Sequence, residues 1–204
     1  MHPSSPFRIL TVCTGNICRS PVAERLLQTG LNQAQPGAFE VRSAGTRAMV
    51  GRPIQRHSAE IIQRFGGYAD NFAARQLTPG ILQETDLVLT MATEHRGEVL
   101  RQDASLLKRT FTVREFARML EVLGSNDPVS SGAGPMSNAG IAAFWRELPA
   151  KAAEVRYLSL PSVAGQDDVV DPYRRGPDAY RQMEDELAPA LLAILRFARI
   201  SAGG

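Results

Sequence analysis

The most informative stretch of the chain is Cys13-Thr14-Gly15-Asn16-Ile17-Cys18-Arg19-Ser20-Pro21. Before it, the apolar run Phe7 to Val12 predicts a strand, and after it the residues Val22 to Gln28 predict a helix. Ser20 is expected to cap this helix and Gly30 to end it. A strand, a tight loop and a helix in this order form an anion-binding arrangement, because the first N–H groups of the helix have no partner within the helix.

The rest of the chain alternates between predicted strands and helices. Strands are predicted at 39–44, 86–91 and 109–113, and helices at 54–65, 93–107, from the fourth strand to Leu123, 141–157 with a break near Pro149, and 177–198. This alternation predicts an α/β fold, a parallel sheet with helices on both faces. Ligands of such sheets bind beyond the carboxyl ends of the strands, where the Cys13 loop lies.

Composition and length narrow the class of protein. A chain of 204 residues with 44% hydrophobic and 22% charged residues predicts a soluble globular protein. We expect a flexible tail at 1–6 and a single domain over 7–204, with an extended segment at about 124–168 that opens in a Gly- and Ser-rich surface stretch. The formal charge of +2 gives no reason to expect nucleic acid, and no apolar run is long enough to predict a membrane span. Both cysteines lie in the loop, which argues against a disulfide scaffold and favours the cytoplasm, where a thiol stays reduced.

The loop carries the groups that cleave a phosphate monoester through a cysteinyl-phosphate. A helix N-terminus and the Arg19 guanidinium both favour a thiolate, so we expect Cys13 to be a nucleophile. Arg19 offers paired donors to two phosphate oxygens, and the Ser20 hydroxyl can donate to the Cys13 sulfur. Gly15 is expected to let the backbone take a positive φ where the loop turns, and backbone amides are expected to surround the phosphate. The predicted phosphate-binding residues are Thr14, Gly15, Asn16, Ile17, Cys18 and Arg19.

Later motifs strengthen a resemblance that the loop suggests. Ser43-Ala44-Gly45-Thr46, Ala74-Arg75-Gln76-Leu77, Asp86 to Met91 and Asp171-Pro172-Tyr173 follow in order, and with them the chain resembles the low-molecular-weight protein tyrosine phosphatase family. The resemblance implies a three-layer sandwich around a four-stranded parallel sheet, and an enzyme that needs no metal or other cofactor.

The resemblance also implies roles for single residues. Cys13 would be the nucleophile, Arg19 the phosphate clamp, and Asn16 would be held by a hydrogen bond to Ser43. Cys18 resembles the family's second loop cysteine, which can trap Cys13 as a reversible disulfide; simple packing is the alternative.

The leaving group needs a proton, and two Asp-Pro pairs compete to supply it. Asp127-Pro128 lies in the Gly- and Ser-rich stretch, whereas Asp171-Pro172 is followed by Tyr173 and the last helix, as in the family. We therefore expect Asp171 to be the general acid and Tyr173 to form a wall of the substrate pocket. Asp167 and Asp168 are interpreted as solvated loop charges.

Several positions bear on the substrate. Met49 is expected to line the pocket, because the loop after Thr46 lacks the aromatic residue that family members often carry there. Arg174 and Arg175 either attract acidic residues beside a phosphotyrosine or are simply exposed. His95 is interpreted as structural, and no His, Cys or carboxylate spacing suggests a metal site.

These observations lead to one main hypothesis and three alternatives. The main hypothesis is a phosphotyrosine phosphatase acting on a phosphotyrosine-containing protein or peptide, for which the resemblance suggests a bacterial tyrosine kinase. The alternatives are a phosphoprotein-binding module without turnover, a phosphoarginine-directed phosphatase, and, less favoured, a thiol redox protein. Ile17 favours the tyrosine-directed branch, since the phosphoarginine branch tends to have threonine there.

Overall fold

The computed structural model describes residues 5–126 and 136–201 of the chain. Four strands, β1 (Phe7–Cys13), β2 (Phe39–Gly45), β3 (Leu87–Thr90) and β4 (Thr110–Thr112), form one sheet. Their order is β2-β1-β3-β4, and every pairing is parallel. The four-stranded parallel sheet predicted from the sequence is thus confirmed.

Helices connect the strands. They are α1 (Arg19–Ala34), α2 (Arg56–Arg64), α3 (Pro79–Gln83), α4 (Thr93–Gln102), α5 (Val113–Asn126), α6 (Asn138–Glu154) and α7 (Pro177–Ser201). The helix predicted at 93–107 divides after Gln102, because Asp103 is extended and its carboxylate accepts the Ser105 N–H at 3.0 Å; a 3₁₀ helix, Ala104–Arg109, follows. None of the helices in the described ranges combines the length and apolar character needed to cross a bilayer.

The sheet is buried on both faces. On one face, Ile9 packs in a cluster with residues of α1, α5, α6 and α7. On the other face, Leu10 and Val12 pack with residues of α3 and α4, such as Leu82 and Val99. Successive residues of a strand point to opposite faces, so a continuous apolar strand requires helices on both sides. This layering confirms the predicted three-layer architecture.

Two expectations for α1 are wrong. The helix begins at Arg19, so Ser20 lies inside its first turn rather than capping it. The helix also continues past Gly30 to Ala34. A Cβ built on Gly30 would lie 2.6 Å from a methyl carbon of Leu195 in α7. Glycine therefore serves here for the close approach of two helices, not for ending one.

The break expected near Pro149 is also wrong. Helix α6 runs through this proline, and it begins at Asn138 because the Ser137 hydroxyl accepts the Gly140 N–H at 3.2 Å. Trp145, on the same helix, is fully buried, with ring centroids 5.7 Å from Phe7 and 5.0 Å from Phe39. Packing on both sides of the proline therefore holds the helix together, and this part of the 124–168 segment belongs to the core.

Candidate active site

The Cys13 loop lies at the carboxyl edge of the sheet. Cys13 is the last residue of β1, and Arg19 is the first of α1. Connections from β1 and β3 lead to opposite sides of the sheet, so the loop occupies the point where the strand order reverses. This is where parallel α/β sheets bind their ligands.

The Cys13 sulfur receives hydrogen bonds from its own loop. The backbone N–H of Asn16 donates to the sulfur at 3.3 Å, and the Ser20 Oγ lies 3.0 Å from it. The Asn16 side-chain amide donates to the same Ser20 Oγ at 3.0 Å. Since the Ser20 oxygen accepts this bond, its own hydrogen is directed to the sulfur. Two donors therefore face the sulfur.

Asn16 holds the loop in shape. It is fully buried, and its backbone is left-handed with φ of 54°. The positive φ expected at Gly15 is therefore wrong by one residue, because the buried side-chain amide of Asn16 fixes the turn at that position. Its amide also donates to Ser43 Oγ at 2.8 Å, and its Oδ1 accepts the Arg75 N–H at 2.8 Å. Ser43 in turn donates to Glu24, whose pKa is raised by burial although this hydrogen bond opposes the shift. The hydrogen bond between Asn16 and Ser43 that the resemblance implied is present in the structure.

Arg19 and Asp171 meet over the loop. The Arg19 Nη2 lies 2.7 Å from Asp171 Oδ2, and its Nη1 donates to the Val169 carbonyl at 3.2 Å. The Arg19 side chain is 5% exposed, whereas that of Asp171 is 47% exposed. Asp171 therefore lies between the buried guanidinium and solvent. The competing pair Asp127-Pro128 lies outside the described residues.

The segment that carries Asp171 is fastened to the end of β3. The Val169 N–H donates to the Met91 carbonyl at 2.8 Å. Asp168 Oδ1 accepts both the N–H and the hydroxyl of Thr93, at 2.7 and 2.9 Å, at the start of α4. Asp167 pairs with Arg118 of α5. The interpretation of Asp167 and Asp168 as solvated charges is therefore wrong, because both side chains bind neighbouring elements and hold the segment that carries Asp171 in place.

His95 contacts the loop, a contact the sequence analysis did not anticipate. Its Nε2 lies 2.9 Å from the Thr14 Oγ1, and its side chain is 1% exposed. Burial, and secondarily the Arg19 charge, lower the pKa of His95 to about 4, so the ring is neutral at pH 7. The buried Nδ1 has no hydrogen-bond partner among the described residues, so the proton belongs on Nε2, which donates to Thr14. The sequence feature that could have indicated this contact is the position of His95 in the first helical turn after β3.

The remaining predicted site residues lie around the loop. The Met49 N–H donates to the Gly15 carbonyl at 3.0 Å, and Met49 itself is half-buried. The Cys18 thiol lies 3.7 Å from the Tyr180 hydroxyl, and burial raises the pKa of Cys18 to about 11. Ile17 is buried, and Tyr173 is half-buried with its N–H donating to Asp171 Oδ1 at 3.1 Å.

The fold and the site define a class: α/β proteins in which the first strand of a parallel sheet ends in a Cys-x5-Arg loop. The family model for low molecular weight phosphotyrosine protein phosphatases matches residues 8–138. The chain therefore belongs to the low molecular weight phosphotyrosine protein phosphatase family.

Individual relatives agree with this assignment. The chain is 42% identical over 91 residues to the low molecular weight protein-tyrosine-phosphatase Etp of Escherichia coli (strain K12), an alignment covering 45% of this chain and 58% of that relative. It is 35% identical over 111 residues to a protein-arginine-phosphatase of Geobacillus stearothermophilus, covering 54% and 72% of the two chains. The crystal structure of the low molecular weight protein tyrosine phosphatase from T. tengcongensis superposes with a TM-score of 0.64 and 25% identity, over 93% of this chain and 98% of that one. The match to Etp thus spans little more than half of that relative.

Proposed function

We propose that the protein hydrolyses phosphotyrosine monoesters through a cysteinyl-phosphate intermediate. One observation carries the proposal: a thiol, a buried guanidinium and a half-exposed carboxylate converge on one loop, with Arg19 and Asp171 2.7 Å apart. Binding of phosphate alone requires neither a nucleophile nor an acid, so this combination favours an enzyme over a binding module.

In the first step, Cys13 attacks phosphorus and the bond to the aryl oxygen breaks. The amides of residues 14–19 and the Arg19 guanidinium stabilise the charge on the three equatorial oxygens. The guanidinium already faces the loop mouth through its contact with Asp171, so a phosphate can take over part of this contact. Asp171 gives its proton to the departing oxygen, and the phosphoryl group is left on sulfur.

In the second step, water attacks phosphorus and the bond to sulfur breaks. Asp171, now a carboxylate, takes a proton from the water. Ser20 donates to the sulfur, as its hydrogen bond from Asn16 directs, and so stabilises the departing thiolate. Inorganic phosphate leaves and the starting enzyme is restored.

A phosphoarginine substrate is the second candidate, favoured by the similarity to a protein-arginine-phosphatase. The opposing observation is Ile17, which is buried in the loop where the phosphoarginine branch tends to carry threonine. A panel of phosphotyrosine, phosphoarginine and phosphoserine peptides separates these possibilities. Preferential release of phosphate from the phosphoarginine peptide would replace the tyrosine assignment.

The basic experiment is hydrolysis of an aryl phosphate at mildly acidic pH without added metal. Cys13→Ser is expected to abolish turnover, and Asp171→Ala to lower kcat by about 10²- to 10⁴-fold. The matched control is Asp178→Ala, since Asp178 is exposed on α7 and pairs only with Arg181 among the described residues. Retained turnover in Cys13→Ser would exclude the covalent mechanism, and a wild type that binds phosphate without turnover would indicate a binding module.

The cellular setting is part of the proposal. A thiolate nucleophile must stay reduced, which supports a cytoplasmic location. The family resemblance makes a bacterial tyrosine kinase a candidate substrate. A disulfide between Cys13 and Cys18 under oxidation also remains a proposal; the raised pKa of Cys18 keeps that residue a thiol at neutral pH.

A further inference from the structure

Four exposed arginines surround the Cys13 loop on two separate segments. We call this surface the arginine rim, and its members are Arg47, Arg52, Arg174 and Arg175. The chain as a whole carries 23 basic and 21 acidic residues, so a local group of four cations does not follow from the overall charge.

The first segment lies directly against the loop. The Arg47 N–H donates to the Thr14 carbonyl at 3.0 Å. The Arg52 N–H donates to the Met49 carbonyl at 3.0 Å, and Met49 in turn donates to the Gly15 carbonyl. These backbone bonds place both arginines beside the phosphate-binding residues.

The second segment follows Asp171. The Arg175 N–H donates to the Pro172 carbonyl at 2.9 Å, which closes a turn immediately after the acid. Arg174 has a left-handed backbone with φ of 58°, and its guanidinium lies 5.2 Å from the centre of the Tyr173 ring. Both cations are therefore held next to the predicted wall of the substrate pocket.

The charges of the arginine rim are not neutralised within the described ranges. None of the four guanidinium groups forms an ion pair there. Several exposed arginines elsewhere do, such as Arg56, Arg101 and Arg181, whereas Arg196 and Arg199 on α7 do not. The nearby carboxylates of Asp168 and Asp171 are engaged, the first by the start of α4 and the second by Arg19. The loop mouth thus presents unpaired positive charge beyond what phosphate binding uses.

We propose that the arginine rim binds carboxylates that flank the phosphorylated residue, so that the preferred substrates are acidic phosphopeptides. The inference rests on the proposed function and adds the sequence preference of its substrate. Exposed ion pairs of this kind change affinity by about 1.5- to 5-fold each. With two or more engaged at once, we expect a preference in kcat/KM of about 3- to 20-fold for acidic over neutral flanks.

The experiment compares two phosphotyrosine peptides that differ only in carrying Glu or Gln at the flanking positions. The wild type should prefer the Glu peptide, and the preference should shrink as salt rises from about 0.05 to 0.5 M, because screening weakens exposed charge pairs. A variant with all four rim arginines changed to Gln should lose the preference and keep its activity on a small aryl phosphate. The matched control changes two exposed arginines that are paired elsewhere, Arg101→Gln and Arg181→Gln, and should keep the preference.

The outcomes are distinguishable. Equal kcat/KM for the two peptides in the wild type, or a preference that survives in the four-arginine variant, would overturn the inference about the arginine rim. In either case, hydrolysis of an aryl phosphate by the wild type would still support the proposed phosphatase activity. Absence of aryl phosphate hydrolysis in the wild type would instead overturn the proposed function on which the inference rests.

Discussion

Acidification is predicted to destabilise the protein through His95. The pKa of this buried histidine falls from 6.5 to about 4, chiefly because burial removes water from the ring and also because Arg19 is nearby. The carboxylates of Asp171 and Asp168 oppose this shift. In the unfolded chain the ring is exposed and titrates near its ordinary pKa.

The direction and size of the effect follow from these two values. Below pH 6.5, His95 binds a proton in the unfolded state but stays neutral in the folded state. The free energy of unfolding therefore decreases as the pH falls toward about 4. Above pH 6.5 the ring is neutral in both states, so this loss of stability is absent. One pH unit corresponds to about 1.4 kcal/mol, and the whole interval therefore costs about 3 kcal/mol.

The test compares urea unfolding of the wild type and His95→Gln at several values between pH 7 and about 4.5. Glutamine can still donate to Thr14 but does not titrate, so the variant should lose about 2 to 3 kcal/mol less stability than the wild type over this interval. Its absolute stability is not the readout. The matched control is His57→Gln, because His57 is half-exposed on α2 and lies by Glu60, whereas His95 is buried.

Equal pH dependence in the wild type and His95→Gln would refute the reasoning, because it would mean that His95 is charged in the folded state or that the ring is hydrated. A flattening of the same size in His57→Gln would refute it as well, since the effect would then not be specific to the buried ring. Carboxylates that titrate in the same range affect all three proteins and cancel in the comparison.

Three further changes test the packing and the loop. Asn16→Ala removes three side-chain hydrogen bonds, so the free energy of unfolding should fall by about 2 to 4 kcal/mol. The variant should also have a lower kcat on an aryl phosphate. Unchanged stability and unchanged turnover would contradict the role of Asn16 in the loop. Gly30→Ala should lower the free energy of unfolding by about 1 to 3 kcal/mol, because the added methyl clashes with Leu195. In the matched control Gly97→Ala, the new Cβ meets only the tip of the Arg101 side chain at 3.8 Å, so the variant should gain about 1 kcal/mol. The reverse order of stability in urea unfolding would contradict this packing. Trp145→Ala should lower the free energy of unfolding by about 3 to 5 kcal/mol, because the indole is fully buried. Unfolding is followed by circular dichroism, and a single transition is expected if 7–204 is one domain. An unchanged Tm would show that α6 does not belong to the core.

Local sequence patterns were sufficient to predict the strands and the loop after β1. The run Phe7 to Val12 is apolar at four of its six positions, with apolar residues on both faces, and such a run favours a strand buried on both faces. The Cys13 to Arg19 spacing is a chemical signature carried by adjacent residues, so it could be read without knowledge of the packing.

Local patterns misled where packing overrides propensity. Gly30 and Pro149 both have intrinsic tendencies to end helices, and both lie inside helices here. Gly30 allows α1 to approach α7, and Pro149 is flanked by the buried residues Leu148 and Ala152. Tertiary contacts worth several kcal/mol outweigh a propensity of about 1 to 3 kcal/mol.

By itself, the sequence determined the fold class, the nucleophile candidate and the position of the Cys13 to Arg19 loop between a strand and a helix, because these depend on neighbours in the chain. Only the tertiary structure decided that Asp171 reaches Arg19, that His95 reaches Thr14, and that Asp168 caps α4. These residues are distant in the chain. Thr14 and His95 meet because parallel strands bring their carboxyl ends to one edge of the sheet, and Asp168 and Asp171 reach the same edge because Val169 hydrogen-bonds to Met91 after β3.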